Sequence, residues 1–168
     1  MAHQVSFTAE TMALQRALES ARPEGTRLFT DPFAVSFLSR PLWLAAEVAR
    51  VPVVGGLVAR LYDAVVSGPR ASAVAGTKLI DDTVVEAVRD GVGRVVLLGD
   101  GFDSRAWRLA ELPGSRGGGS GSAGTQEAKV AAVRGVEPVG ELRFLPVDFE
   151  VDDLEMSLRA AGLGASAS

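Results

Sequence analysis

Residues 94–109 (RVVLLGDGFDSRAWRL) constrain the fold of this chain more than any other stretch. Val95, Val96, Leu97 and Leu98 are consecutive apolar residues, the pattern of a strand covered on both faces. Gly99 and Gly101 then allow a sharp turn at the strand's carboxyl end and a close approach of backbone to a ligand. Asp103 is a plausible N-cap for a helix over 103–112. Strand, glycine turn and helix in that order form the building unit of an α/β sheet, and such sheets bind ligands at the carboxyl ends of their strands.

The details decide which ligand. Gly99, Gly101 and Ser104 give G-x-G-x-x-S rather than G-x-G-x-x-G, and the chain has no G-x-x-x-x-G-K-[ST] phosphate loop. A plain tight connection with no ligand is the alternative reading of such a turn. A pyrophosphate favours an uncluttered helix N-terminus, but Asp100 and Asp103 flank this one. Two carboxylates repel a pyrophosphate and accept from cationic or hydroxyl-bearing groups. The turn therefore points away from a dinucleotide and towards S-adenosylmethionine, whose sulfonium and ammonium are positive.

The remaining elements follow from capping and periodicity. A helix is expected over 8–21 with Thr8 as its cap. Asp31-Pro32 reads as a second helix start, an acidic cap followed by proline at the first helical position, burying Phe33, Phe37 and Leu38. Residues 42–66 are rich in Leu, Val and Ala. Pro52, Gly55 and Gly56 interrupt them, and Glu47, Arg50 and Arg60 lie inside, so two helices with a break are expected rather than a bilayer span. A helix over 71–90 carries an apolar stripe of Val74, Leu79, Val84, Val85 and Val88 and stops at Gly91. Asp81 and Asp82 read as its solvated face. Residues 116–124 hold five glycines and no β-branched residue, which predicts a linker rather than a paired central strand. A helix over 125–134, a strand over 142–147, and a last helix capped by Asp152 complete the pattern.

Composition narrows the function. A hydrophobic content of 47% with 23% charged residues reads as globular. The net charge of −4 argues against a nucleic-acid-binding domain, which is usually basic. With no cysteine, and one histidine at position 3, neither a thiolate or imidazole metal site nor a Ser-His-Asp triad is expected. The N-terminus lacks the basic and apolar regions of a signal peptide, so a cytoplasmic protein acting on a small molecule, away from nucleic acid and membrane, is the expectation.

Several short motifs together resemble one family. Residues 98–109 (LGDGFDSRAWRL) resemble the L-G-A-G-L-D-[ST]-R-A-[YW]-R-L segment of a bacterial S-adenosylmethionine-dependent methyltransferase family, common in actinobacteria and related to leucine carboxyl methyltransferases. In the same order, residues 8–17 (TAETMALQRA) resemble its first helix and residues 28–34 (LFTDPFA) its L-x-x-D-P-[YF]-A. Residues 75–82 (AGTKLIDD) resemble its A-R-T-[RK]-x-[IF]-D-D, residues 125–129 (TQEAK) its T-Q-x-x-K, and residues 144–149 (FLPVDF) its third strand. The match runs from about Ser6 to Gly162. It implies an incomplete Rossmann-like class I methyltransferase core over 91–162, a helical cap over 1–90 and a tail over 163–168. It also implies S-adenosylmethionine as cofactor, held by Gly99, Asp100, Gly101 and Asp103, with Asp148 accepting from the adenine amino group and Phe149 packing on the ring. The expected reaction is methyl transfer to a carboxylate or hydroxyl.

The departures from that family are as informative. Its acidic second strand, which supplies a carboxylate to the cofactor's ribose, is replaced by the glycine-rich stretch 116–124. Its arginine expected to hold the cofactor's carboxylate is replaced by Gly76, with Lys78 the nearest cation in sequence. Asp100 stands where the family has a small residue. Two other readings therefore stay open: a non-catalytic methyltransferase remnant, and a nicotinamide-dependent oxidoreductase. The latter needs an acid about 20 residues beyond the first glycine, where this chain has 117–124. Arg105 and Arg108 read as ion-pairing groups rather than substrate clamps, and Trp107 as core.

Overall fold

The computed structural model describes residues 6–51, 69–112, 116–120, 123–145, 147 and 151–162. It is a mixed α/β structure in which the described strands form one parallel sheet. Helix α1 (Phe7–Ser20) comes first, then a 3-10 turn (Ala34–Phe37), α2 (Arg40–Ala49) and α3 (Pro69–Arg89). Strand β1 (Arg94–Leu97), the single-turn α4 (Arg105–Arg108), β2 (Arg116–Ser120), α5 (Ala123–Ala132), β3 (Glu141–Leu145) and α6 (Leu154–Ala160) follow. The strand order is β1-β2-β3, with helical segments between successive strands, as parallel pairing requires.

The glycine-rich stretch is where the sequence expectation is overturned. Residues 116–120 are the central strand, not a linker. Val95 pairs with Gly117 and Val96 with Gly118 on one side, and Gly117 pairs with Leu142 and Gly118 with Arg143 on the other. Backbone amides and carbonyls make the ladder, so a strand flanked on both sides can form without side chains of its own. Glycine weakens such a strand but does not forbid it. Gly124 lies within α5 rather than in a loop.

Other boundaries move for identifiable reasons. Ser6, not Thr8, caps α1: its Oγ accepts from the Ala9 amide at 3.4 Å. Asp31 accepts from the amides of Phe33 and Ala34 at 3.0 and 3.1 Å, but Phe33 holds the N-cap position, Pro32 lies before it, and the segment that follows is a short 3-10 turn. The helix expected over 103–112 is one turn, because Leu109 is already extended (φ −90°, ψ 104°). Asp153 rather than Asp152 caps α6, accepting from the Met156 amide at 3.0 Å. On α3, Leu79 is 68% exposed and falls off the expected stripe, whereas Val74 is buried and Val84, Val85 and Val88 are half-buried; Thr77 and Asp81 complete the inward face. The second helix expected within 42–66, and the tail over 163–168, lie outside the described residues.

The core joins the first ninety residues to the sheet. Ala13, Phe37, Phe102, Trp107 and Val133 form one buried cluster, against which Ala9, Leu142 and Phe144 pack. Phe37 and Phe102 stack with centroids 5.0 Å apart and planes 7° from parallel, and Trp107 stacks on Phe144. A second cluster of Leu14, Ala17, Leu18, Ala34 and Ala46 ties α1 to the 3-10 turn and α2. The later part of α1 is buried almost all round, as a helix covered by neighbours on several sides should be. Trp107 also donates its Nε1 proton to the Val136 carbonyl at 3.2 Å.

Candidate functional site at the glycine turn

The carboxyl end of β1 runs into Gly99-Asp100-Gly101-Phe102-Asp103. Gly99 has φ 61° and Gly101 φ 43°, a region that glycine enters at little cost and residues with a Cβ rarely adopt. The two glycines have different neighbours. Among the described residues, a Cβ on Gly99 would meet nothing within 4 Å. A Cβ on Gly101 would sit 3.1 Å from the Cβ of Ala9, so this glycine admits close packing of α1. The turn thus has steric room on the Gly99 side and is braced by the first helix on the Gly101 side.

The bracing is electrostatic as well as steric. Arg16, in α1, donates to Asp31 Oδ2 at 2.8 Å and to the Phe102 carbonyl at 2.6 Å. Ser104 donates to the same Asp31 oxygen at 2.6 Å and accepts from Arg108 Nε at 3.1 Å. Arg108 forks onto both oxygens of Asp81, each at 2.7 Å, and Arg105 Nε meets Asp81 Oδ1 at 2.7 Å. Arg105 also pairs with Asp103, whose Oδ1 accepts from the Arg105 amide at 2.8 Å. Three arginines and three aspartates make one charge-balanced chain of contacts linking α1, the turn after Asp31, α3 and the glycine turn. Burial alone lowers the Arg108 pKa. The hydrogen bonds and charge of Asp81, with Asp31 and Asp103, outweigh it and hold the guanidinium above its ordinary value.

Asp81 is therefore not a solvated residue but the anchor of both arginines; Asp82 is the exposed one, and it takes Lys78 at 2.5 Å. The expected ion-pairing role of Arg105 and Arg108 and the core role of Trp107 agree with the structure. Ser104 rather than Asp103 stands at the N-cap of α4, with no side-chain capping bond; Asp103 accepts from the Arg105 amide and is its ion-pair partner.

A second polar group approaches the turn from α5. Thr125, Gln126 and Lys129 are all buried and each reaches a different segment. Thr125 Oγ1 accepts from the Ser6 amide at 3.3 Å, and Gln126 donates to the Leu145 carbonyl at 3.3 Å. The Lys129 ammonium pairs with Asp100 Oδ2 and lies 5.6 Å from the Phe144 ring centroid. Lys129 is 1% exposed and the Asp100 side chain 3%. Asp100 Oδ1 is buried with no hydrogen-bond partner among the described residues. Burial pushes the Asp100 carboxyl above its ordinary range; the charge and hydrogen bond of Lys129 offset this in part, and Asp103 adds to it. Sequence reasoning did not foresee this pair, although the T-Q-x-x-K segment was its signal.

The structure brings Gly99, Asp100, Gly101 and Asp103 together in one turn. Asp148 and Phe149 lie outside the described residues. The stretch 116–124 carries no carboxylate after Arg116, so the end of β2 has no acid to offer a ribose. A Cβ at Gly76 would meet nothing within 4 Å, leaving open space where the resembling family has an arginine. Among the described residues no group of His, Cys, Asp or Glu is arranged to hold a metal ion, and no helix is long and apolar enough to cross a membrane.

A parallel sheet with helical segments between its strands, its first described strand ending in a braced glycine turn, defines an α/β protein. Within that class, the chain belongs to the leucine carboxyl methyltransferase family, whose model matches residues 9–168. A protein of Mycolicibacterium smegmatis named as a candidate S-adenosyl-L-methionine-dependent methyltransferase is 32% identical over 99% of this chain and 54% of its own length. One of Streptomyces coelicolor, named likewise, is 34% identical over 95% of this chain and 54% of its own. One of Streptomyces avermitilis is 39% identical over 65% of this chain and 36% of its own. The chain spans about half the length of the first two.

Proposed function

We propose that this chain is the cofactor-side portion of an S-adenosylmethionine-dependent methyltransferase with a Rossmann-like core, its first ninety residues forming a helical cap. The observation that carries the reading is the glycine turn at the carboxyl end of β1, open at Gly99, in a chain whose family match covers nearly all of it. Gly99, Asp100, Gly101 and Asp103, with Asp148 and Phe149 beyond β3, are the proposed contacts to the cofactor. The acceptor is a small molecule presenting a carboxylate or hydroxyl.

The residues fit the cofactor unevenly. The open turn suits its amino-acid end, but the glycine-rich β2 offers the ribose no carboxylate and Gly76 offers no guanidinium. When bound, the cofactor would supply an electrophilic methyl group. Methyl transfer asks mainly for alignment and exclusion of water, and this chain's part is to hold a rigid turn. The Arg16–Phe102 carbonyl bond and the bond from the Arg105 amide to Asp103 do that.

Weak binding is the expected consequence. Loss of one charge-assisted hydrogen bond costs about 1.5–3 kcal/mol, so two absent anchors lower affinity on the order of a hundredfold. A non-catalytic role is the second reading, and the same two absences favour it. Calorimetric titration with S-adenosylmethionine, S-adenosylhomocysteine and NAD tests the proposal. Binding of the two sulfur nucleosides, strengthened in Gly76→Arg, is the expected result. Preference for NAD, or no binding in either form, overturns it.

A further inference from the structure

One face of α1 reaches the glycine turn twice. Ala9 and Arg16 stand at i and i+7, so they share that face. Ala9 packs at Gly101, where an added Cβ would lie 3.1 Å from its own. Arg16 is buried, and its guanidinium forks between two acceptors: Nε donates to Asp31 Oδ2 at 2.8 Å and Nη2 to the Phe102 carbonyl at 2.6 Å. Asp31 is itself fixed by Ser104 and by the amides of Phe33 and Ala34, so its carboxylate is a firm anchor for the fork.

The Phe102 carbonyl belongs to the same peptide unit as the Asp103 amide, which donates to the Asp100 carbonyl at 2.7 Å. Both ends of that unit are therefore held. The Asp100 carbonyl in turn shares a peptide unit with the Gly101 amide. None of the described peptide bonds is cis, and in a trans unit the C=O and N–H point opposite ways. With the Asp100 carbonyl turned towards Asp103, the Gly101 amide is turned away from it. Gly101, at φ 43°, has no Cβ to restrict its own rotation, so the direction of this amide needs a hold from outside the turn.

We propose that Arg16 is a positioning residue for the ligand: through two successive peptide units it fixes the direction of the Gly101 amide, without touching the ligand itself. This rests on the cofactor reading above and deepens it. Affinity at the turn is thereby linked to the docking of α1, and the link is separable from the stability that the Arg16–Asp31 pair confers. The guanidinium makes the separation testable. Lysine keeps the charge and can meet Asp31, but its single ammonium lacks the rigid fork that reaches both acceptors.

The test is Arg16→Lys. Its affinity for S-adenosylhomocysteine, measured by calorimetry, should fall about five- to tenfold, the size of one net hydrogen bond. The urea midpoint of the unliganded variant should stay close to wild type. Exchange of the Asp103 amide should quicken while that of the α5 amides is unchanged. A role confined to stability would lower the midpoint and leave the affinity of the folded chain as it was. The wild-type chain supplies a measurement that does not depend on the variant folding: saturating S-adenosylhomocysteine should slow exchange of both the Asp103 amide and the Arg16 Nε proton. Variant affinity within about twofold of wild type, or wild-type exchange at both positions unmoved by bound ligand, overturns the positioning role and leaves the cofactor reading standing. No binding by wild type or by Gly76→Arg overturns both.

Discussion

The glycine turn and the central strand lie side by side and are held by opposite means. Around the turn, side chains do the holding: Arg16, Asp31, Asp81, Asp103, Ser104, Arg105 and Arg108 satisfy one another within a largely buried space. In β2, between Arg116 and Ser120, there are three glycines, and the ladders to β1 and β3 are backbone alone. Burying charges is costly unless they are paired and hydrogen-bonded, so the first region is stable only while complete. The second loses little by any single side-chain change and everything by a change that removes a ladder amide. One region encodes its structure in chemistry, the other in its neighbours.

The comparison breaks most sharply at Asp31. Its carboxylate is fully buried and serves Arg16, Ser104 and the amides of Phe33 and Ala34. Asp31→Ala strands the Arg16 guanidinium and two amides, and breaking one partner of a buried pair typically costs about 3–5 kcal/mol. Urea denaturation should show a loss of that size, a large share of the roughly 5–15 kcal/mol that holds an ordinary domain together. A loss below about 1 kcal/mol would mean the network is a crowd of independent surface pairs.

The second region is tested through its backbone. Gly118 is registered against both Val96 and Arg143, and proline there removes the amide proton from a central strand. Gly118→Pro should destabilise by about 3 kcal/mol, taking the helix value as a guide, and abolish slow amide exchange in β1 and β3 together. In the unmodified chain, amides of Gly117–Gly119 should exchange as slowly as those of Val95–Leu97. Fast exchange at 117–119 beside slow exchange at 95–97 would restore the linker reading.

Which parts were legible in the sequence follows from the same contrast. The β1 strand and its turn were readable because apolar runs and glycines mark themselves, and so was the family, because its motifs are side chains in a fixed order. The inward role of Asp81 was not: a carboxylate looks solvated until Arg105 and Arg108, more than twenty residues away, are folded against it. Strand β2 was not readable because glycine carries no periodicity, and its pairing is imposed by Val95–Leu97 and Leu142–Phe144. The Asp100–Lys129 pair joins residues 29 apart, and neither spacing nor composition reveals such a meeting. The capping expectations at Thr8 and Asp152 missed by two residues and by one, because nearby residues of similar chemistry compete for one helix start.

The smallest effect separates local cost from ligand loss at Gly76. The residue lies inside α3, where glycine is about 0.8–1 kcal/mol less favourable than a good helix former such as arginine. Its Cβ direction is clear for 4 Å, so no clash offsets the gain. Gly76→Arg should therefore stabilise the chain by about 1 kcal/mol without ligand, read as a shift in the urea midpoint at unchanged slope. If the open space is also the ligand's, the same substitution tightens S-adenosylhomocysteine binding by about tenfold, roughly one charge-assisted contact, while 5′-methylthioadenosine, which keeps the thioether nucleoside and lacks the amino acid, gains nothing. Stabilisation without a change in affinity would put Gly76 away from the ligand. Destabilisation would mean that the glycine answers a packing need, and that α3 is packed more closely at this point than the clear Cβ direction suggests.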